Sequence, residues 1–120
     1  MSKVLIVEDH LGDFETFSLP IRLAGYEVTH APNAAKARVE VAAEQFDIAI
    51  VDVQLDGSNI GDSHDLVVNE LPSVSTVVRW SHSDKYSDLS QEHKREGCWE
   101  KRDIQALLEF LINRCPPAEL

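Results

Sequence analysis

Two runs of consecutive apolar residues mark the chain, Val4-Leu5-Ile6-Val7 near its start and Ile48-Ala49-Ile50-Val51 in its middle. Neither alternates with polar positions, so both read as strands covered on two faces, the central strands of a parallel sheet. Strand-like and helix-like segments alternate around them. Strands are predicted over 3–8, 26–30, 47–52, 75–80 and 97–100. Helices are predicted over 13–24 (ending before Gly25), over 33–45 with Asn33 as cap, within a loop and helix over 56–70, over 84–95, and over 103–114 with Asp103 as cap. Five βα units of this kind imply a parallel sheet with right-handed crossovers and helices on both faces. There is no internal repeat, and the only linker-like stretch is the tail CPPAEL.

Three features strain this pattern. Pro20 falls inside the first helix, where it removes a backbone hydrogen bond to Thr16 and predicts a kink. The segment 84–95 offers only Tyr86, Leu89 and His93 at helical spacing, a thin stripe that makes it the least stable helix. Arg79 interrupts the apolar run TVVRW of a central strand, with snorkelling toward an acid as its only evident explanation.

The chemistry gathers at strand ends. The first apolar run stops at Glu8 and Asp9, and the middle one at Asp52. Asp52 alone is open to reading as a turn residue. Two buried strands ending on acids are harder to explain that way, because the carboxyl edge of an open α/β sheet is where ligands bind. Three carboxylates converging there would repel one another unless a cation stood between them, and oxygen ligands suit a hard ion such as Mg²⁺.

Composition narrows the function. The 120 residues suit one domain with a sizeable core. Eleven Lys and Arg against 21 Asp and Glu give a net charge of −10, the wrong sign for a direct nucleic-acid binder. Cys98 and Cys115 form neither a disulfide framework nor a zinc pattern, which suits a reducing cytoplasm. No apolar run approaches the ~18 residues of a membrane span and the start lacks a signal-peptide pattern, so a soluble protein that is not exported is expected, with no membrane partner.

The acidic pair Glu8-Asp9 after the first strand, Asp52 after the third, Ser81 after the fourth and Lys101 after the fifth resemble, in order and spacing, the motifs of the receiver domains of two-component response regulators. The resemblance spans essentially the whole chain. It implies a flavodoxin-like doubly wound (βα)5 fold with strand order 2-1-3-4-5, the domain occupying 1–115 and a tail or linker start 116–120. It implies that Asp52 accepts a phosphoryl group from a histidine kinase or histidine phosphotransfer protein. Mg²⁺ would be held by Asp9, Asp52 and the backbone carbonyl of Gln54, with Glu8 acting through water. Ser81 would donate to a phosphoryl oxygen, Lys101 would pair with the charge, and a downstream protein target or output domain would read the state. Such a domain is a signalling module that assists its own phosphorylation and dephosphorylation, not an enzyme in the ordinary sense. The chemistry agrees, because phosphoryl transfer needs an in-line nucleophile and positive charge around the transferred group.

Four features depart from the family pattern. Arg102 follows Lys101 where the family has a cis-linked proline, which predicts a trans peptide and a displaced amine. His82 replaces a small residue after Ser81, either narrowing access to Asp52 or lying outward in solvent. Cys98 stands where an aromatic switch residue is usual, and the neighbouring Trp99 points to the opposite strand face. Asp56 and Gly57 lie in a loop without the family's proline. A degenerate receiver, acting as a phosphorylation-independent interaction module, is therefore the alternative. A Mg²⁺-dependent phosphohydrolase is a third reading, weakened because position 54 is Gln where a second acid would be needed.

Overall fold

The apolar runs become the centre of a single five-stranded parallel sheet in the order β2-β1-β3-β4-β5. The strands are β1 (Lys3–Val7), β2 (Glu27–Ala31), β3 (Ile48–Asp52), β4 (Thr76–Ser81) and β5 (Cys98–Glu100). The computed structural model describes residues 2–53, 55, 60–82, 90 and 94–117, with only the backbone of 60–62 and 68. The loop at Asp56 and Gly57, the Gln54 carbonyl and the helix predicted over 84–95 fall outside those residues, apart from Ser90, Lys94 and Arg95. Among the described residues the helices are α1 (Leu11–Leu23), α2 (Ala34–Ala43), α3 (Ile60–Asp65), which widens into a π-helical turn over Leu66–Glu70, and α4 (Ile104–Arg114), preceded by a 3₁₀ turn over Lys101–Asp103.

Strand residues alternate between two apolar layers, which is why no polar alternation appears in the sequence. Leu5, Val7, Ala49, Val51 and Val77 pack with Ala34 and Ala37 of α2 and with Leu66 and Val67. Val4, Ile6, Ile48, Ile50, Val78 and Trp80 pack on the other face with Phe14 and Ile21 of α1 and Leu107 and Leu111 of α4. None of the described helices is long and apolar enough to cross a membrane.

Local expectations fared unevenly. Asn33 caps α2, its side chain accepting from the Lys36 N–H at 2.8 Å. The helix α1 starts two residues earlier than predicted because the His10 ring accepts from the Asp13 N–H at 3.1 Å and caps it. Pro20 lies within α1, which runs unbroken from Leu11 to Leu23, and the carbonyl its ring cannot bond is that of Thr16, an exposed residue that water can serve. Asp103 stands before α4 without a side-chain capping bond. The 3₁₀ turn that precedes the helix gives it φ −98° and ψ 45°, away from the extended backbone a capping side chain requires.

Candidate functional site

Parallel register brings the strand ends to one edge. Val7 lies beside Val51, Asp52 beside Trp80, and Ser81 beside Glu100. Residues 8–9, 52, 81 and 101 therefore leave the sheet together. Glu8 is buried, its backbone N–H donating to the Ala31 carbonyl at 3.0 Å as the sheet ends, while Asp9 is exposed. Asp52 and Ser81 are buried at the ends of β3 and β4.

Lys101 is the hub. Its Nζ lies 2.7 Å from Glu8 Oε1, 2.8 Å from Asp52 Oδ2 and 2.9 Å from Asp13 Oδ2, and the side chain is 3% exposed. The predicted displacement of this amine is thus corrected. The described residues include no cis peptide, yet the amine reaches Asp52 because three carboxylates draw it into one point. The amine also stands 5.8 Å from the centre of the Trp80 ring.

The charges set each other. Burial, reinforced by Asp52, pushes the Glu8 carboxyl well above the usual carboxylate range, against the pull of Lys101 and of the His10 N–H, which donates to Glu8 Oε2 at 3.0 Å. Burial works against the Lys101 ammonium, but the hydrogen bond to Asp52 and the close contact with Glu8 outweigh it and raise its pKa. Burial likewise pushes Asp13 upward, and the contacts with Lys101 and His82 overcome that and hold it below its ordinary value.

One carboxylate oxygen from each of Glu8, Asp9 and Asp52 lies within 4.8 Å of the others. A crowded set of hard oxygen donors, one of them driven toward protonation by burial and by Asp52, fits a divalent hard cation, with exposed Asp9 leaving room for water ligands.

One residue of the site, Asp13, carries no mark in the sequence pattern beyond its spacing. Asp13 sits in the first turn of α1, four residues after Asp9, and that spacing from the acidic pair was its only signal. Its Oδ2 also meets His82 Nε2 at 2.7 Å, so His82, with a side chain 57% exposed, lies outward yet tethered to α1 and edge-on to Phe17 at 6.0 Å between ring centres. Arg79, expected to snorkel toward an acid, does something else. It is fully buried and does not snorkel, because carbonyl oxygens at the end of β3 receive its guanidinium. Away from the acids, Cys98 is half-buried with its thiol pKa raised by burial, and Trp99 packs against Phe110 at 4.7 Å.

No known family's sequence profile matches the chain, and no curated protein matches it in sequence. Solved structures do match in shape. A response regulator receiver domain protein (CheY-like) from Methanospirillum hungatei JF-1 superposes with a TM-score of 0.74 at 18% identity, covering 95% of each chain. The response regulator protein TrrA from Thermotoga maritima, in complex with Mg²⁺-BeF, gives 0.71 at 18% identity, over 92% of this chain and 99% of that one. The N-terminal domain of a response regulator/sensory box/GGDEF 3-domain protein from Carboxydothermus hydrogenoformans gives 0.69 at 19% identity, over 94% and 98%. With five parallel strands in the order 2-1-3-4-5 and acids, hydroxyl and lysine at their carboxyl ends, the chain has the CheY-like, flavodoxin-type fold of response-regulator receiver domains.

Proposed function

We propose that the chain is a receiver domain, comprising residues 1–115, that accepts a phosphoryl group on Asp52 from a histidine kinase or histidine phosphotransfer protein in the cytoplasm. One observation carries this reading: at the carboxyl edge of a receiver-type sheet, the Asp52 carboxylate lies 2.8 Å from a buried ammonium and within 4.8 Å of oxygens of Glu8 and Asp9. In the transfer, an Asp52 oxygen forms the bond to phosphorus, the phosphorus–nitrogen bond of the donor histidine breaks, and its electron pair returns to the imidazole. Lys101 neutralises charge on the transferred group, and the Ser81 hydroxyl donates to one of its oxygens. Glu8, Asp9 and Asp52, with the Gln54 carbonyl, would hold Mg²⁺, which when bound supplies positive charge to the phosphoryl oxygens. A downstream protein or an output domain reads the result.

The degenerate-receiver reading keeps one observation in its favour. Lys101 is already engaged by Glu8 and Asp13 as well as Asp52, so the acids and the lysine form a closed charge cluster without phosphate. Intact mass after incubation with acetyl phosphate, with and without Mg²⁺, separates the two. Gain of one phosphoryl mass that requires Mg²⁺ supports the acceptor, and an unchanged mass in both conditions supports the interaction module.

A further inference from the structure

Arg79 is a cation inside an apolar strand. Val77, Val78 and Trp80 around it are fully buried, and so is Arg79 itself. Taking a guanidinium out of water is unfavourable unless its donors are satisfied, and an apolar side chain would fill the same space without that cost. An apolar side chain could not donate hydrogen bonds. Arg79 Nε donates to the Val51 carbonyl at 3.2 Å, and one terminal nitrogen donates to the Asp52 carbonyl at 3.3 Å and to Ser63 Oγ at 2.7 Å. Ser63, fully buried, passes the contact on: its hydroxyl donates to the Val53 carbonyl. Three consecutive carbonyls are thus held by one guanidinium and one hydroxyl where β3 ends, and Asp52 is the middle residue of the three.

We propose that Arg79 is a positioning residue for the phosphoacceptor. By holding the carbonyls of Val51 and Asp52, and through Ser63 that of Val53, it fixes the backbone that aims the Asp52 carboxylate and adds a permanent positive charge beside the acidic cluster. This role rests on Asp52 being the acceptor. The charge persists at neutral pH, since burial brings the guanidinium pKa down only to about 10, opposed by the nearby Cys98 and Asp52. The two contributions have opposite signatures. A cation next to the acids opposes a second cation, so Arg79 holds Mg²⁺ affinity below what the acids alone would give, while it favours an anionic phosphoryl group. A planar fork cannot be replaced by an ammonium, so Lys at this position keeps the charge and loses the grip.

The test uses the full chain and its Arg79→Met, Arg79→Lys and Ser63→Ala variants. Two readouts are measured: Mg²⁺ affinity by titrating the fluorescence of Trp80, and the rate of Asp52 labelling by acetyl phosphate at saturating Mg²⁺. Arg79→Met is expected to bind Mg²⁺ at least about threefold tighter yet to label at least about tenfold more slowly. Arg79→Lys is expected to return Mg²⁺ affinity to within about twofold of the parent while still labelling slowly, and Ser63→Ala to slow labelling with Mg²⁺ affinity unchanged. Loosening of the fold alone would weaken Mg²⁺ binding, so tighter binding with slower labelling is not a structural side effect. Folded Arg79→Met with both readouts within about twofold of the parent overturns the proposal. Should that variant not fold, parental labelling rates in both Arg79→Lys and Ser63→Ala overturn it. A parent that takes up no label refutes Asp52 as acceptor, and Arg79 as its positioning residue falls with it. A labelled parent with unaltered variants refutes the role of Arg79 alone.

Discussion

Replacing Lys101 with methionine takes one ammonium away from three carboxylates at 2.7, 2.8 and 2.9 Å. Breaking a buried ion pair by removing one partner costs about 3–5 kcal/mol, because the remaining charge stays in a poor solvent. The acids here can recover part of that by taking up a proton, as Glu8 already tends to do, so the lower end applies, about 3 kcal/mol at pH 7. For a domain of this size each kcal/mol moves the melting temperature by about 3–5 °C, which predicts a fall of about 9–15 °C. The pH dependence supplies a second check. In the parent, Asp13 is held below its ordinary value of 3.8, so its contribution is complete above that pH and is lost only as pH falls through the lowered value. Without the lysine the acids shift upward, the folded variant binds more protons than the folded parent, and the variant loses more stability as pH rises. The gap between the two proteins should therefore widen from pH 5 to pH 8. Thermal unfolding followed by circular dichroism in a metal chelator measures it. A gap below about 3 °C at pH 7, or one that grows on acidification, would mean that Lys101 does not hold the three carboxylates together.

Other consequences are simpler. Millimolar Mg²⁺ should raise the melting temperature and change the emission of Trp80, whose ring faces the Lys101 amine, and Asp9→Asn should lose most of both effects; equal responses in the two proteins would remove Asp9 from the site. Gly97→Ala should destabilise the chain by about 1–3 kcal/mol, because the residue has φ +149° and an added Cβ would lie 2.7 Å from the Trp99 ring; an unchanged melting temperature would contradict that. His82→Ala should change stability by less than about 1 kcal/mol, since the imidazole side of its pair with Asp13 is solvent-exposed; a larger loss would make the tether to α1 a structural element.

The fold was legible because its signals are local. Consecutive apolar residues, Asn33 before a helix and acids at strand ends each report on a few neighbours, and parallel register then carries residues 8, 52, 81 and 101 to one edge with no further information. Convergence of single atoms was not legible. Asp13 looks like any acid in a first helical turn until α1 is packed on the sheet, and only then does its carboxylate meet both Lys101 and His82. Arg79 was conspicuous in an apolar strand, but its partners are backbone carbonyls and a serine 16 positions away, which carry no pattern in sequence. The absence of proline after Lys101 misled for a related reason: it describes one peptide bond, whereas the amine is placed by three carboxylates from two strands' ends and a helix.

The central claim is that Asp52 carries the phosphoryl group. Labelling the parent with acetyl phosphate and Mg²⁺, followed by peptide mass mapping before and after hydroxylamine, tests it most directly, because hydroxylamine cleaves an acyl phosphate and spares a phosphoester such as one on Ser81. One hydroxylamine-labile phosphoryl group is expected on the peptide containing Asp52 and none in Asp52→Asn. A label that survives hydroxylamine, maps to another peptide or persists in Asp52→Asn would contradict it.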